Sequence, residues 1–93
     1  MLVLMVGMFK SGSGDEMTRL QPEFRQHLGQ PVLRIHTAGA LVNADGTWAG
    51  FMIVLESAFV GAARSYLETD PFRTNGLYER VDLLEYRVEA GRL

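Results

Sequence analysis

Leu2-Val3-Leu4-Met5-Val6-Gly7-Met8-Phe9 carries no polar side chain on either parity. An unbroken apolar run of this length predicts a strand covered on both faces. One face is expected against helices and the other against a second subunit. Lys10 to Gly14 follows as a Gly/Ser turn. Its Ser11-Gly12-Ser13-Gly14 lacks both the Lys-Ser/Thr ending of a phosphate-binding loop and a full GxGxxG spacing. From Asp15 to Leu28, the residues Met17, Leu20, Phe24 and Leu28 recur at helical steps. Asp15 is placed to cap that helix, and Pro22 predicts a break into two short helices. Gly29 and Pro31 end it.

The period then changes to two. Val32 to Val42 predicts a second strand with Leu33, Ile35, Thr37 and Leu41 on one face. Arg34, His36, Ala38 and Ala40 fall on the other. Asn43-Ala44-Asp45-Gly46 is a hairpin signal. A third strand, Thr47 to Glu56, sets Ala49, Phe51, Ile53 and Leu55 against Trp48, Gly50, Met52 and Val54. After Ser57, a predicted N-cap, the stripe Phe59, Ala62, Ala63, Tyr66, Leu67 is that of an amphipathic helix. Asp70-Pro71 stops it, because the residue before proline is pushed out of helical geometry. Leu77 to Val88 predicts a fourth strand with Tyr78, Arg80, Asp82 and Tyr86 on one face and Leu77, Val81 and Leu83 on the other. Glu89 to Leu93 reads as a loose end or an arm on a partner.

The order β-α-β-β-α-β is the split βαβ arrangement of a ferredoxin-like α+β fold. It predicts a four-stranded antiparallel sheet with two helices on one face. The open face would carry Trp48, Met52, Val54, Leu84 and Tyr86. Two such sheets packed face to face, as in a dimeric α+β barrel, would cover it.

Ninety-three residues fit one domain, 1–93, with a thin core. Without cysteine, no disulfide or thiolate metal site supplements that core. Self-association is therefore expected. The net charge of −2 and scattered arginines, with Lys10 the lone lysine, argue against a nucleic-acid partner. The apolar start lacks a basic lead and is too short to span a membrane. The absence of cysteine fits a cytoplasmic location.

Candidate chemistry is sparse. Asp70 sits at a helix end entering a loop and suits a general base, or alternatively a simple turn former. His27 and His36 are the two groups that titrate near neutrality unperturbed. His27 suits either acid–base work or a contact to free carbonyls at the helix end. Arg34 and His36 either solvate an exposed face or line a space between sheets, where they suit an anionic or carbonyl ligand. Tyr78 and Arg80 offer donors to a wet interface or pocket. No HExxH or comparable spacing marks a metal site, and no residue calls for haem, flavin or another cofactor.

The segments Thr37-Ala38-Gly39-Ala40-Leu41, Gly50 to Ser57, Ala62-Ala63, Thr69-Asp70-Pro71-Phe72 and Gly76 to Val81 resemble, in order and spacing, the YCII-related family of dimeric α+β barrel proteins. The resemblance covers roughly the C-terminal two thirds, and the apolar first strand fits it too. It implies a cytoplasmic homodimer with a pocket between helices and sheet. It also implies a catalytic pair formed by a first-helix histidine and the aspartate of the Asp-Pro-aromatic motif. The aspartate matches Asp70. The family's Arg-Pro-x-His-Leu corresponds to Gln21-Pro22-Glu23-Phe24-Arg25, so Phe24 stands in the place of the histidine. His27 lies three residues further on.

The expected function is a small dimeric enzyme of lyase, isomerase or hydrolase type acting on a small polar organic molecule. Asp70 would be its acid–base group, with His27 or His36 assisting and Arg34, Tyr78 and Arg80 contacting the ligand. The alternative is a non-catalytic ligand-binding or structural dimer, motivated by Phe24.

Overall fold

The strand Leu2–Phe9 (β1) lies inside a four-stranded antiparallel sheet of order β2-β3-β1-β4, where β2 is Ile35–Val42, β3 is Trp48–Glu56 and β4 is Tyr78–Tyr86. The computed structural model describes residues 1–29 and 33–93. Pro31 and Val32, read above as a helix stop and a strand start, lie outside them. The element order and sheet are the ferredoxin-like fold that the hydrophobic pattern predicts. The two-sided apolar character of β1 follows from its inner position. Val3 and Met5 are fully buried under the helices, while Leu4 and Val6 are half-covered on the other face.

The first helix, α1, runs unbroken over Gly14–Leu28, with Pro22 inside it. The predicted break does not occur. One missing N–H is tolerated where Leu20, Phe24 and His27 lock the helix to the sheet. Ser13, not Asp15, is its N-cap; Asp15 lies in the first turn, where a carboxylate favours the helix dipole. The second helix, α2, spans Val60–Leu67 and begins after Phe59 rather than Ser57. Phe59 is exposed, and the buried stripe reduces to Ala63, Tyr66 and Leu67. A four-residue helix, α3 (Pro71–Thr74), follows directly.

Strict alternation fails at three places, each with a register shift. Between Ile35 and Thr37 the shift leaves His36 unpaired, so Ala38 and Ala40 join Leu33 and Ile35 against the core, and Thr37 and Leu41 turn to the other face. Between Leu41 and Val42 a second shift moves Trp48 to the helix side, 6.4 Å from Phe51 between ring centres. Between Met8 and Phe9 a third shift skips Glu79 and turns Tyr78 to the helix side. A one-residue irregularity sends a side chain to the opposite face. The expected groupings of Trp48 with Met52 and of Tyr78 with Arg80 are corrected accordingly. The open face carries Leu2, Leu4, Val6, Met52, Val54, Leu84 and Tyr86, with Asp82 and Arg80 at its β4 side, and Leu84 is exposed.

Candidate functional site

Asp70 joins α2 to α3. Its φ of −65° and ψ of 121° are extended, as the following proline requires, and this ends the turn that continues α2 past Leu67. Pro71 then opens α3 at the position where a missing N–H costs nothing. Asp70 is thus both a stop and a cap. Its Oδ1 accepts from the Phe72 N–H at 2.8 Å, and its Oδ2 accepts from the Tyr78 hydroxyl at 2.9 Å. The side chain is completely buried, 0% exposed. Both oxygens are therefore satisfied inside an aromatic shell. Phe24 stacks on Phe72 with centroids 4.2 Å apart, and Phe9 stacks on Tyr78 at 5.4 Å.

Tyr78 reaches Asp70 because β1 has a glycine beneath it. A Cβ on Gly7 would lie 2.5 Å from Tyr78 Cε1. The phenol ring occupies the space that any other residue's side chain would fill. Gly7 is the signal for this in the sequence, since a glycine within an apolar strand marks a close approach.

Burial pushes the Asp70 carboxyl up from its ordinary value, against the lowering effect of the Phe72 N–H and the Tyr78 hydroxyl. Burial, with the Asp70 charge beside it, pushes the Tyr78 phenol up strongly, so it remains a neutral donor. Tyr66 is raised to about 12 by burial and by the Asp70 charge.

His27 is buried in the last turn of α1, 4% exposed. Its ring stacks on Tyr66 at 4.1 Å, and the Tyr66 hydroxyl donates to the His27 carbonyl at 3.0 Å. Nδ1 lies 3.5 Å from Oγ1 of Thr69, the residue before Asp70. Nε2 has no hydrogen-bond partner among the described residues. Burial lowers the imidazole pKa, which favours the neutral ring. His27 and Asp70 thus flank the same Tyr66 without an ion pair between them.

The other candidates scatter. His36 stands on β2, at the sheet edge opposite β4, with Nε2 2.6 Å from Glu56 Oε2. It is not brought to Asp70. Arg34, just before β2, lies on that side too; its carbonyl accepts from the Glu56 N–H. Tyr78 and Arg80 do share a cleft of about 280 Å³ along β4, walled by Arg64 and Leu67 of α2 and Arg73 of α3. Arg80 pairs with Asp82 at 2.9 Å. Phe72, whose N–H bonds Asp70, and Tyr66, which feels the Asp70 charge, also belong to its surroundings and are absent from the candidate residues read from the sequence, because aromatic residues there read as core alone. No cluster of three or more metal-ligating side chains occurs among the described residues. No described helix is long and apolar enough to cross a membrane.

These shifts predict opposite pH slopes. A carboxyl raised on folding holds its proton more tightly in the native state. Its contribution is therefore greatest below the ordinary value of 3.8 and falls as pH rises through the raised value. A histidine lowered on folding acts in reverse: stability is full above 6.5 and falls as pH drops through the lowered value. Urea midpoints measured across pH should show Asp70→Asn removing the first slope and His27→Gln the second. A profile unchanged by either substitution would place both groups in solvent.

No family profile matches the chain, and no curated protein sequence matches it. Solved structures do. The chain is 22% identical, over 94% of both chains and with a TM-score of 0.84, to 5-chloro-2-hydroxyhydroquinone dehydrochlorinase from Burkholderia phenoliruptrix, solved in complex with 2,5-dihydroxybenzoquinone. An antibiotic biosynthesis monooxygenase superposes with a TM-score of 0.56 at 18% identity, over 95% of this chain and 100% of that one. An uncharacterised NIPSNAP domain protein from Burkholderia xenovorans gives 0.53 at 15%, over 99% and 100%. At these identities the likeness shows the fold, that of the dimeric α+β barrel proteins.

Proposed function

We propose that this chain is a YCII-related homodimeric enzyme performing acid–base chemistry, of lyase type, on a small polar organic molecule. Asp70 is the proton-handling group, Tyr78 links it to the β4 cleft, and His27 is the neutral base behind Tyr66. One observation carries this reading: a wholly buried carboxylate, raised by burial, bonded to a tyrosine that itself lines a cleft. A purely structural cap needs the Phe72 N–H and does not need the phenol. A carboxyl raised by burial holds its proton more tightly than a free one, which suits a proton-handling role. The cleft's Arg64 and Arg73 suit an oxygen-rich or anionic substrate. Likeness to a dehydrochlorinase favours elimination, in which a base takes a proton while chloride departs. The apolar open face supplies the dimer contact through Leu84 and its neighbours.

Chloride release from 5-chloro-2-hydroxyhydroquinone tests this. Turnover that falls at least a hundredfold in Asp70→Asn, with the fold intact by circular dichroism, is the expected outcome. Light scattering at micromolar concentration should give a dimer. Turnover unaffected by Asp70→Asn, or a monomer, contradicts the corresponding part.

A second reading is supported by Phe24. It stands where the resemblance places a histidine and stacks on Phe72, the residue whose N–H bonds Asp70, so an apolar ring takes the place of an acid–base group. A ligand-binding dimer without catalysis would bind the chlorohydroquinone and release no chloride.

A further inference from the structure

A separate cleft of about 880 Å³ opens at the end of the sheet where β1 leaves and β3 enters. It lies between the turn after β1 and the β2–β3 hairpin, and it falls in the size range of small-ligand sites. Phe9, Met17 and Trp48 form its apolar walls. Trp48 packs against the core on one side but is only partly buried and also borders a recess of about 300 Å³ on the α1 side, so part of its indole stays accessible. The sheet irregularities at Leu41/Val42 and Met8/Phe9 both occur at this end. The first is what aims Trp48 at the helix side. Bulges that re-aim a side chain recur beside functional sites. Gly50, next to Trp48's bulge, admits the backbone closely: a Cβ there would lie 2.2 Å from the Gly7 carbonyl oxygen.

The rim carries one cation, Lys10, and two carboxylates, Asp15 and Glu79. None of the three takes part in an ion pair among the described residues. Lys10 Nζ lies 4.0 Å from the position of a Cβ on Gly76, so its charge sits by the turn before β4. The local balance is acidic by one charge. Aromatic walls and surplus carboxylates together favour a flat cation, which gains from the indole face and from the rim.

We propose that this cleft binds a planar aromatic molecule bearing a cationic group, stacked on Trp48 with its charge towards Asp15 and Glu79. The site is independent of Asp70 and of the chemistry proposed for it.

Trp48 is the sole tryptophan, so its indole N–H gives a single nuclear magnetic resonance signal. Benzamidine, benzamide and benzoate are near-isosteric flat probes of charge plus one, zero and minus one. Benzamidine should shift the Trp48 signal saturably. Benzamide should bind about two- to fivefold more weakly, as exposed charge contacts allow, and benzoate weakest. The Asp15→Asn/Glu79→Gln variant should lose the preference for benzamidine over benzamide. Both positions are exposed and neither side chain makes a hydrogen bond among the described residues, so this variant keeps the fold. The proposal is overturned if millimolar benzamidine leaves the Trp48 signal unmoved. It is equally overturned if benzoate binds best, or if the double variant keeps the benzamidine preference.

Discussion

Asp70→Ala should destabilise the protein by about 2–3 kcal/mol, the cost of leaving two buried donors without an acceptor. For a domain of this length that lowers the melting temperature by roughly 10–20 °C. The donors are the Phe72 N–H and the Tyr78 hydroxyl, each now within 2.9 Å of a carboxylate oxygen. The Phe72 N–H has no water to turn to, since Phe72 and Asp70 are both 0% exposed, and Tyr78 as a whole is only 8% exposed. The loss also removes the cap that starts α3. Asp70→Asn should cost less than half as much. Its amide oxygen still accepts from Phe72, and the Tyr78 oxygen can accept from the amide nitrogen. The contrast separates the two roles of the residue: the asparagine retains the architecture and loses the proton chemistry. Paired thermal and urea denaturation measures it. A cost for Asp70→Ala within 0.5 kcal/mol of zero would mean that the carboxylate does not hold α3 and β4 together.

The Asp70 site was half legible from the residues. Asp-Pro announced the end of a helix, and period-two and period-3.6 patterns located every strand and both long helices. Side-chain period cannot announce a bulge. Counting by twos put Tyr78 with Arg80, yet the skipped pairing at Glu79 sends Tyr78 to the helix side. The same limitation misplaced Trp48 and Ala38. His36 was a candidate because imidazoles are scarce. Its distance from Asp70 follows from strand order, and order is set by long-range pairing rather than by local pattern. Pro22 illustrates the opposite case: local preference predicted a break, and packing of Leu20, Phe24 and His27 overrode it.

The bulge that delivers Tyr78 would be useless without the gap that receives it, and that gap is Gly7. By propensity alone, alanine in a strand should improve on glycine by roughly 0.5–1 kcal/mol. Here Gly7→Ala should instead cost about 3 kcal/mol. The new methyl would stand 2.5–2.8 Å from three ring carbons of Tyr78. The ring has little room to retreat, with Phe9 stacked at 5.4 Å, Phe72 edge-on at 6.2 Å and its hydroxyl tied to Asp70. Overpacking accounts for about 1–3 kcal/mol, and a stretched or lost Tyr78–Asp70 bond adds to it. A double-mutant cycle isolates the cause. In a Tyr78→Ala background the obstacle is gone, and Gly7→Ala should be neutral or mildly stabilising. In a Tyr78→Phe background the ring remains and the hydroxyl does not, so the steric part of the cost should persist while the hydrogen-bond part vanishes. Urea midpoints for these variants give both parts. If Gly7→Ala and Tyr78→Ala add within about 0.5 kcal/mol, the two residues are uncoupled. The phenol would then not be held over Gly7, and the link from the β4 cleft to Asp70 would fail with it.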